Sequence, residues 1–226
     1  ALAGTAVGIG VTALLLASGE TAPDPAELAA LDVDELNAFD RTATRQWSPA
    51  AGKASDVLMI GLGLAPLALL ADTDSGVSTG ELLAMYAETI ALEQAVVSVV
   101  KVGAGRLRPF TYNDDPRIPE SLRRSRFARR SFPSGHTASA ITLMGLVYVL
   151  WFSFEKSGQR RLGTVLFVFT AVFVLAMAIA RVMTRAHWPT DVTFSIFGGW
   201  LLIHLLFFYG LRVSGGGAGL ASGFTE

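Results

Sequence analysis

The sequence predicts an all-α membrane protein, a bundle of six transmembrane helices. Of its 226 residues 51% are hydrophobic and only 16% charged. The mean hydropathy is +0.47, an apolar balance unusual for a soluble domain. The apolar residues also fall in long runs, and a hydrocarbon core about 30 Å thick takes roughly 20 residues of helix. A net charge of −1 provides no overall field for nucleic acid. Cysteine is absent, which excludes disulfides and thiolate metal sites.

Six runs approach the required length: 1–18, 54–71, 81–100, 137–154, 162–180 and 192–211. The first is longer than the apolar region of a signal peptide and has no basic residues ahead of it, so it reads as a span. The third carries Glu81, Glu88 and Glu93, whereas residues 162–180 carry no charge at all. Glu88 and Glu93 lie about 140° apart around a helix, which fits buried hydrogen-bonding partners better than one shared site. Between spans one and two, residues 24–47 read as an amphipathic interfacial helix. Asp24 suits its N-cap, Pro25 its first position and Glu27 a capping box. Leu28, Leu31, Leu36, Phe39, Ala43 and Trp47 would share one face, packed on the bundle. The chain then forms one membrane-embedded domain, 1–213, with a flexible Gly-rich tail, 214–226.

Six spans put the loops 1–2, 3–4 and 5–6 on one side of the membrane. Both histidines that precede a span, His136 and His187, fall in these loops, and loops 2–3 and 4–5 contain none. In KVGAGRLRP, Lys101 and Arg108 are two helical turns apart and would point the same way if the helix continued. Pro109 marks an end, and such a pair serves equally as snorkelling anchors or as anion ligands. In FPSGHTAS, the turn at Ser134 and Gly135 runs into the fourth span, whose start offers free N–H groups and the positive end of a helix dipole. Ser134 adds a hydroxyl donor, and His136 in the first turn can protonate a bound group; the alternative is a capping turn with an incidental histidine. In ARVMTRAHWPTD, Pro189 opens the sixth span, with His187 just before it and Asp191 in its first turns. The aspartate can accept from one imidazole nitrogen and leave the other free to attack. Arg181 can grip the same anion with a bidentate fork.

Two histidines and an aspartate also fit a metal triad, but Lys101, Arg108 and Arg181 would repel a divalent ion. The same three cations would stabilise a phosphoryl group, whose charge spreads over three oxygens at the transition state. His204, 13 residues past Asp191, lies too far along its helix to join and reads as structural. The arginines at 117, 123, 124, 126, 129 and 130 flank the site and suit attraction of anionic headgroups.

Lys-x6-Arg-Pro at 101–109, Pro-Ser-Gly-His at 133–136 and Arg-x5-His-x3-Asp at 181–191 resemble the three-part signature of the type 2 phosphatidic acid phosphatase superfamily. That family includes vanadium haloperoxidases and bacterial acid phosphatases. It often has Ser before the third-motif arginine, where Ala180 stands here and removes one hydroxyl donor. The resemblance implies His187 as nucleophile forming a phosphohistidine, Asp191 orienting it and His136 as general acid. It implies Lys101, Arg108, Arg181, Ser134 and the Gly135 N–H as phosphate ligands, with no metal and no cofactor.

The expected function is hydrolysis of a lipid phosphate or polyprenyl diphosphate at the bilayer, with no nucleic-acid partner. A vanadate-dependent haloperoxidase on the same scaffold and a non-catalytic anionic-lipid binding or transport protein are the alternatives. All Lys and Arg except Lys156, Arg160, Arg161 and Arg212 fall on the side of the site, so a raw positive-inside count points to the cytoplasm. Phosphate binding accounts for several of those charges, while the short loop with Lys156, Arg160 and Arg161 reads as cytoplasmic. The resemblance likewise implies a bacterial inner-membrane protein with its site facing the periplasm or exterior.

Overall fold

The computed structural model describes residues 8–12, 18–45, 47–68, 79–156 and 160–213, which are all helix, turn and loop with no strand among them. Five long helices make the body: α1 (Pro49–Ala68), α2 (Thr79–Ala104), α3 (Gly135–Lys156), α4 (Arg160–Met183) and α5 (Pro189–Val213). They coincide with the second to sixth apolar runs. The first run lies largely outside the described residues, as does the tail 214–226. Among the described residues no helix is long and apolar enough to cross a membrane, so the six expected spans stand here only as the five helices.

The central helix is α3, which packs against α1, α2, α4 and α5. Small residues let the helices approach. Ala140, Ile141 and Leu143 of α3 meet Leu62 of α1 and Val174 and Met177 of α4 in a buried cluster. Gly199 marks where α5 crosses α3: a Cβ there would come within 2.1 Å of Ile141 Cγ2. Only glycine allows that approach.

Each helix bearing a motif starts or stops for a local reason. Helix α2 ends at Gly105, whose φ of +54° is the left-handed value that closes a helix, and whose N–H reaches the Lys101 carbonyl at 3.1 Å. Helix α3 begins after Ser134, whose carbonyl takes the Ala138 N–H at 2.9 Å. Between α4 and α5 the chain turns back through Arg185, a non-glycine residue held at φ +53°, and the His187 N–H reaches the Arg181 carbonyl at 3.3 Å. Pro189 opens α5, and Asp191 in its first turn accepts the Trp188 N–H at 2.9 Å.

The continuous amphipathic helix expected over 24–47 is not formed. Two short helices, Pro25–Ala29 and Ala38–Arg41, alternate with 3-10 turns at Val33–Glu35 and Thr42–Arg45. Asp24 caps the first, accepting from the Glu27 N–H at 2.7 Å. Further capping side chains then interrupt the run: Asp32 takes the Asp34 N–H at 2.8 Å, and Asn37 takes the Asp40 N–H at 2.9 Å. Such short polar side chains compete with helical hydrogen bonds and restart the chain at each cap. Phe39, placed on the inward face by periodicity, is exposed, while Ala43 is buried.

Candidate active site

The three motif segments converge at the N-terminal end of α3. Lys101, in the last turn of α2, donates to the carbonyls of Pro133 at 2.6 Å and Arg130 at 3.2 Å. Arg108 reaches the same Arg130 carbonyl at 2.9 Å, that of Ala186 at 2.9 Å and that of Phe127 at 3.0 Å. Its guanidinium lies 3.7 Å from the centre of the Phe127 ring. Two of three ammonium protons and three of five guanidinium protons are thus taken, leaving donors for an anion. Arg181 gives Nη1 to Ser55 Oγ at 3.1 Å, and its buried Nε makes no hydrogen bond. Gly135 faces Lys101: a Cβ there would stand 3.7 Å from Lys101 Cε. Ser134 is fully buried, with its hydroxyl 2.9 Å from Thr137 Oγ1 and its N–H on Ser195 Oγ at 2.8 Å.

His187 is 1% exposed. Its Nδ1 lies 2.6 Å from the Ser131 carbonyl oxygen, which only accepts, so Nδ1 carries the proton and Nε2 keeps a lone pair. Asp191 was expected to hold that nitrogen itself. It stands 3.7 Å away instead, because its Oδ2 is engaged by the Ser131 hydroxyl at 2.5 Å and the Trp188 N–H. The aspartate therefore steadies the loop that holds the histidine and faces the ring as a charge.

His136, at the first turn of α3, meets a partner absent from the motif reading: its Nε2 lies 3.0 Å from Asp56 Oδ1 on α1. The Asp56 carboxylate is also 3.8 Å from Arg181 Nη1. A second unexpected group is Arg106. It donates to Asp191 Oδ1 at 2.5 Å, to Thr190 Oγ1 at 2.8 Å and to Asp40 Oδ2 at 2.8 Å. Asp40, fully buried, also accepts the Thr190 N–H at 3.0 Å. The polar segment before α1 is therefore wired to Asp191. Asp56 fell inside an apolar run, and Arg106 and Asp40 fell in polar stretches, so no periodicity marked them.

Burial and crowding set the charges. Burial, then Arg108, Lys101 and Arg181, drive the His187 imidazole well below its ordinary range. The ring is therefore neutral, the form in which one of its nitrogens keeps a lone pair. Burial, then Arg108, pulls Lys101 down to about 7 against the opposing pull of Asp191. Burial, then Arg181, lowers Arg108. A dianion bound among Lys101 and Arg108 would oppose their shifts and favour their charged forms. Burial raises Asp191, partly offset by Ser131 and Arg106.

The arginine run expected to attract headgroups is mostly neutralised within the protein. Arg117 pairs with Asp115, Arg123 with Asp114, Arg124 with Glu120, Arg129 with Glu27 and Arg130 with Glu20. His204 is exposed and hydrogen-bonds the Trp200 carbonyl at 2.8 Å, apart from the site. Among the described residues no group of three or more histidine, aspartate or glutamate side chains is arranged to hold a metal ion.

The PAP2 superfamily model matches residues 82–212, which contain all three motif segments. The chain belongs to the PAP2 superfamily. Among solved structures, this PAP2 chain is similar to the first transmembrane PAP2 type phosphatidylglycerolphosphate phosphatase from Bacillus subtilis. The TM-score is 0.53 at 21% identity, over 92% of this chain and 96% of the other. No curated protein matches the chain significantly. At that identity the likeness to this neighbour is one of fold.

Proposed function

We propose that this PAP2 protein is an integral-membrane enzyme that hydrolyses a lipid phosphate or diphosphate through a phosphohistidine on His187. The carrying observation is the His187 Nδ1 contact with the Ser131 carbonyl at 2.6 Å, which leaves Nε2 as a buried, neutral nucleophile beside three cations. Nε2 attacks phosphorus while Lys101, Arg108, Arg181, the Ser134 hydroxyl and the Gly135 N–H hold the oxygens. The bond to the leaving oxygen breaks, and His136 supplies its proton. Water then attacks the phosphohistidine, gives its proton back to His136, and phosphate leaves. Asp191, 3.7 Å from the ring, stabilises the imidazolium that develops. The three cations supply the positive charge of phosphoryl transfer, so no metal is required.

The bilayer reading is supported by apolar side chains turned outward. Val165, Val168, Val172, Leu175 and Ile179 of α4 and Phe194, Phe197 and Trp200 of α5 are exposed. A contiguous surface of that kind suits lipid better than water. The site faces the periplasm or exterior, so a cysteine introduced at Ser157 should resist an impermeant thiol reagent in intact cells. The test of function is phosphate release in detergent from phosphatidic acid, phosphatidylglycerolphosphate, a polyprenyl diphosphate and a lipid A phosphate. Turnover of at least one is expected, with none by His187→Ala; no release from any would sink the reading.

A further inference from the structure

We infer that Asp56 is a positioning residue for the general acid: through its 3.0 Å contact with Nε2 it orients the His136 ring towards the leaving group. The inference rests on the assignment of His136 as the acid. Asp56 occurs outside all three motif segments and comes from α1, whose next-door Ser55 holds Arg181 at 3.1 Å. Consecutive residues of one helix thus address the acid and a phosphate ligand together, and the Asp56 carboxylate itself stands 3.8 Å from Arg181.

The chemistry needs such a group. An imidazolium carries two N–H donors, and a ring free to rotate delivers neither reliably. With the Nε2 proton engaged by Asp56, the Nδ1 proton is the one left for the leaving oxygen. As the P–O bond breaks, the oxygen keeps the electron pair and takes that proton. Nδ1 keeps its own pair, and the Nε2–H bond to Asp56 is retained through the step. The neutral ring then accepts a proton at Nδ1 from the water that attacks the phosphohistidine, which closes the cycle.

The charges around the ring explain why a carboxylate is used. Burial, then Arg181 of α4 and Lys101 of α2, disfavour the imidazolium, and Asp56 of α1 is the group that opposes them. Asp56 is largely exposed, so solvent weakens its through-space effect, and hydrogen-bond geometry carries more of the role than charge.

The experiment compares Asp56→Asn, Asp56→Glu and His136→Ala on an alkyl phosphate and on a nitrophenyl phosphate, each across pH. An aryl leaving group hardly needs an acid, so Asp56→Asn should lose about 10–100-fold in kcat on the alkyl ester and little on the aryl ester. Its alkaline limb on the alkyl ester should move to lower pH. Asp56→Glu should recover part of the loss, and Asp56→Asn should cost nothing further in a His136→Ala background. Vanadate inhibition should persist in all variants, which shows an intact site. Equal loss on both esters, or no loss on the alkyl ester, while His136→Ala does discriminate them, overturns the role of Asp56 alone. Failure of His136→Ala to discriminate overturns the acid assignment and this inference with it. A gain on a diphosphate substrate without the leaving-group effect would make Asp56 a charge filter and also overturn it.

Discussion

His187 and His136 share a site but not an environment, and the difference is the ground for the roles proposed for them. The ring of His187 is sealed from solvent and pinned at Nδ1 by a backbone carbonyl. His136 is partly exposed and meets a carboxylate. His187→Ala should abolish turnover of every substrate with no trapped phosphoenzyme. His136→Ala should lose about 10²–10⁴-fold on an alkyl phosphate yet keep far more activity on an aryl phosphate. Rapid-quench assays of both esters check this, and equal loss on both would break the assignment. The pH profile follows from the same contrast. Both imidazoles are lowered from 6.5, His187 further. In the proposed mechanism His187 must be neutral and His136 charged, so kcat/KM for an alkyl ester should peak below 6.5 and fall as His136 deprotonates. Lys101 loses charge near 7, so the diagnostic feature is a limb present for the alkyl ester and weaker or absent for the aryl one. At this scale the sequence announced Lys101, Arg108, Ser134, Gly135, His136, Arg181, His187 and Asp191, because proline, glycine and histidine punctuate apolar runs. It was silent on Ser131, whose contribution to His187 is a carbonyl that every residue type possesses. Asp56, Arg106 and Asp40 were silent too, since a single aspartate in an apolar run or an arginine or aspartate in a polar stretch signals only solvation until a partner is seen.

Among the elements, α3 carries the site at its first turn and the core along its length, so its packing is coupled to catalysis. Gly199 of α5 lies where that helix crosses α3 closely. The Cβ of Gly199→Ala would stand 2.1 Å from Ile141 Cγ2, against a side chain packed in the core. The variant should lose about 1–3 kcal/mol of stability, the usual cost of overpacking. Thermal unfolding in detergent should show a lower Tm, and an unchanged Tm would mean the helices part easily there. The long helices were legible because an apolar run some 20 residues long admits little else. The segment before α1 was misread because its apolar spacing satisfied a helical wheel, while the decisive signals were single capping residues, Asp32 and Asn37. Those caps have a use. They deliver Asp40 to Arg106 and Thr190 and so brace the loop of Asp191. Burial raises the Asp40 carboxyl, but the hydrogen bonds from the Thr190 N–H, Asn37, the Thr190 hydroxyl and Arg106 outweigh it and leave it below 3.8. A depressed carboxyl adds stability that is present above its unfolded value and vanishes as pH falls through the folded one. This brace is therefore fully set at neutral pH and fails only in strong acid.

For the molecule as a whole, the motif side chains gather at one end of an apolar bundle, and that end is the proposed site of the chemistry. With Lys101, Arg108 and Arg181 fixed in the protein, phosphatase activity should survive EDTA, and orthovanadate should inhibit by adopting the five-coordinate geometry of in-line transfer. Loss in chelator restored by a divalent ion would return the histidines to the role of metal ligands. The site is also divided along the chain. Lys101, Arg108 and His136 precede the connection between Lys156 and Arg160, whereas Arg181, His187 and Asp191 follow it. Among the described residues helices α3 and α4 nevertheless make the most extensive contact of any pair. The gene can therefore be cut at that connection into two pieces, one holding His136 and the other His187. Neither piece expressed alone should turn over substrate, and co-expression should restore activity through the α3–α4 contact. Phosphate release would then serve as a reporter of how two separately made membrane fragments find each other.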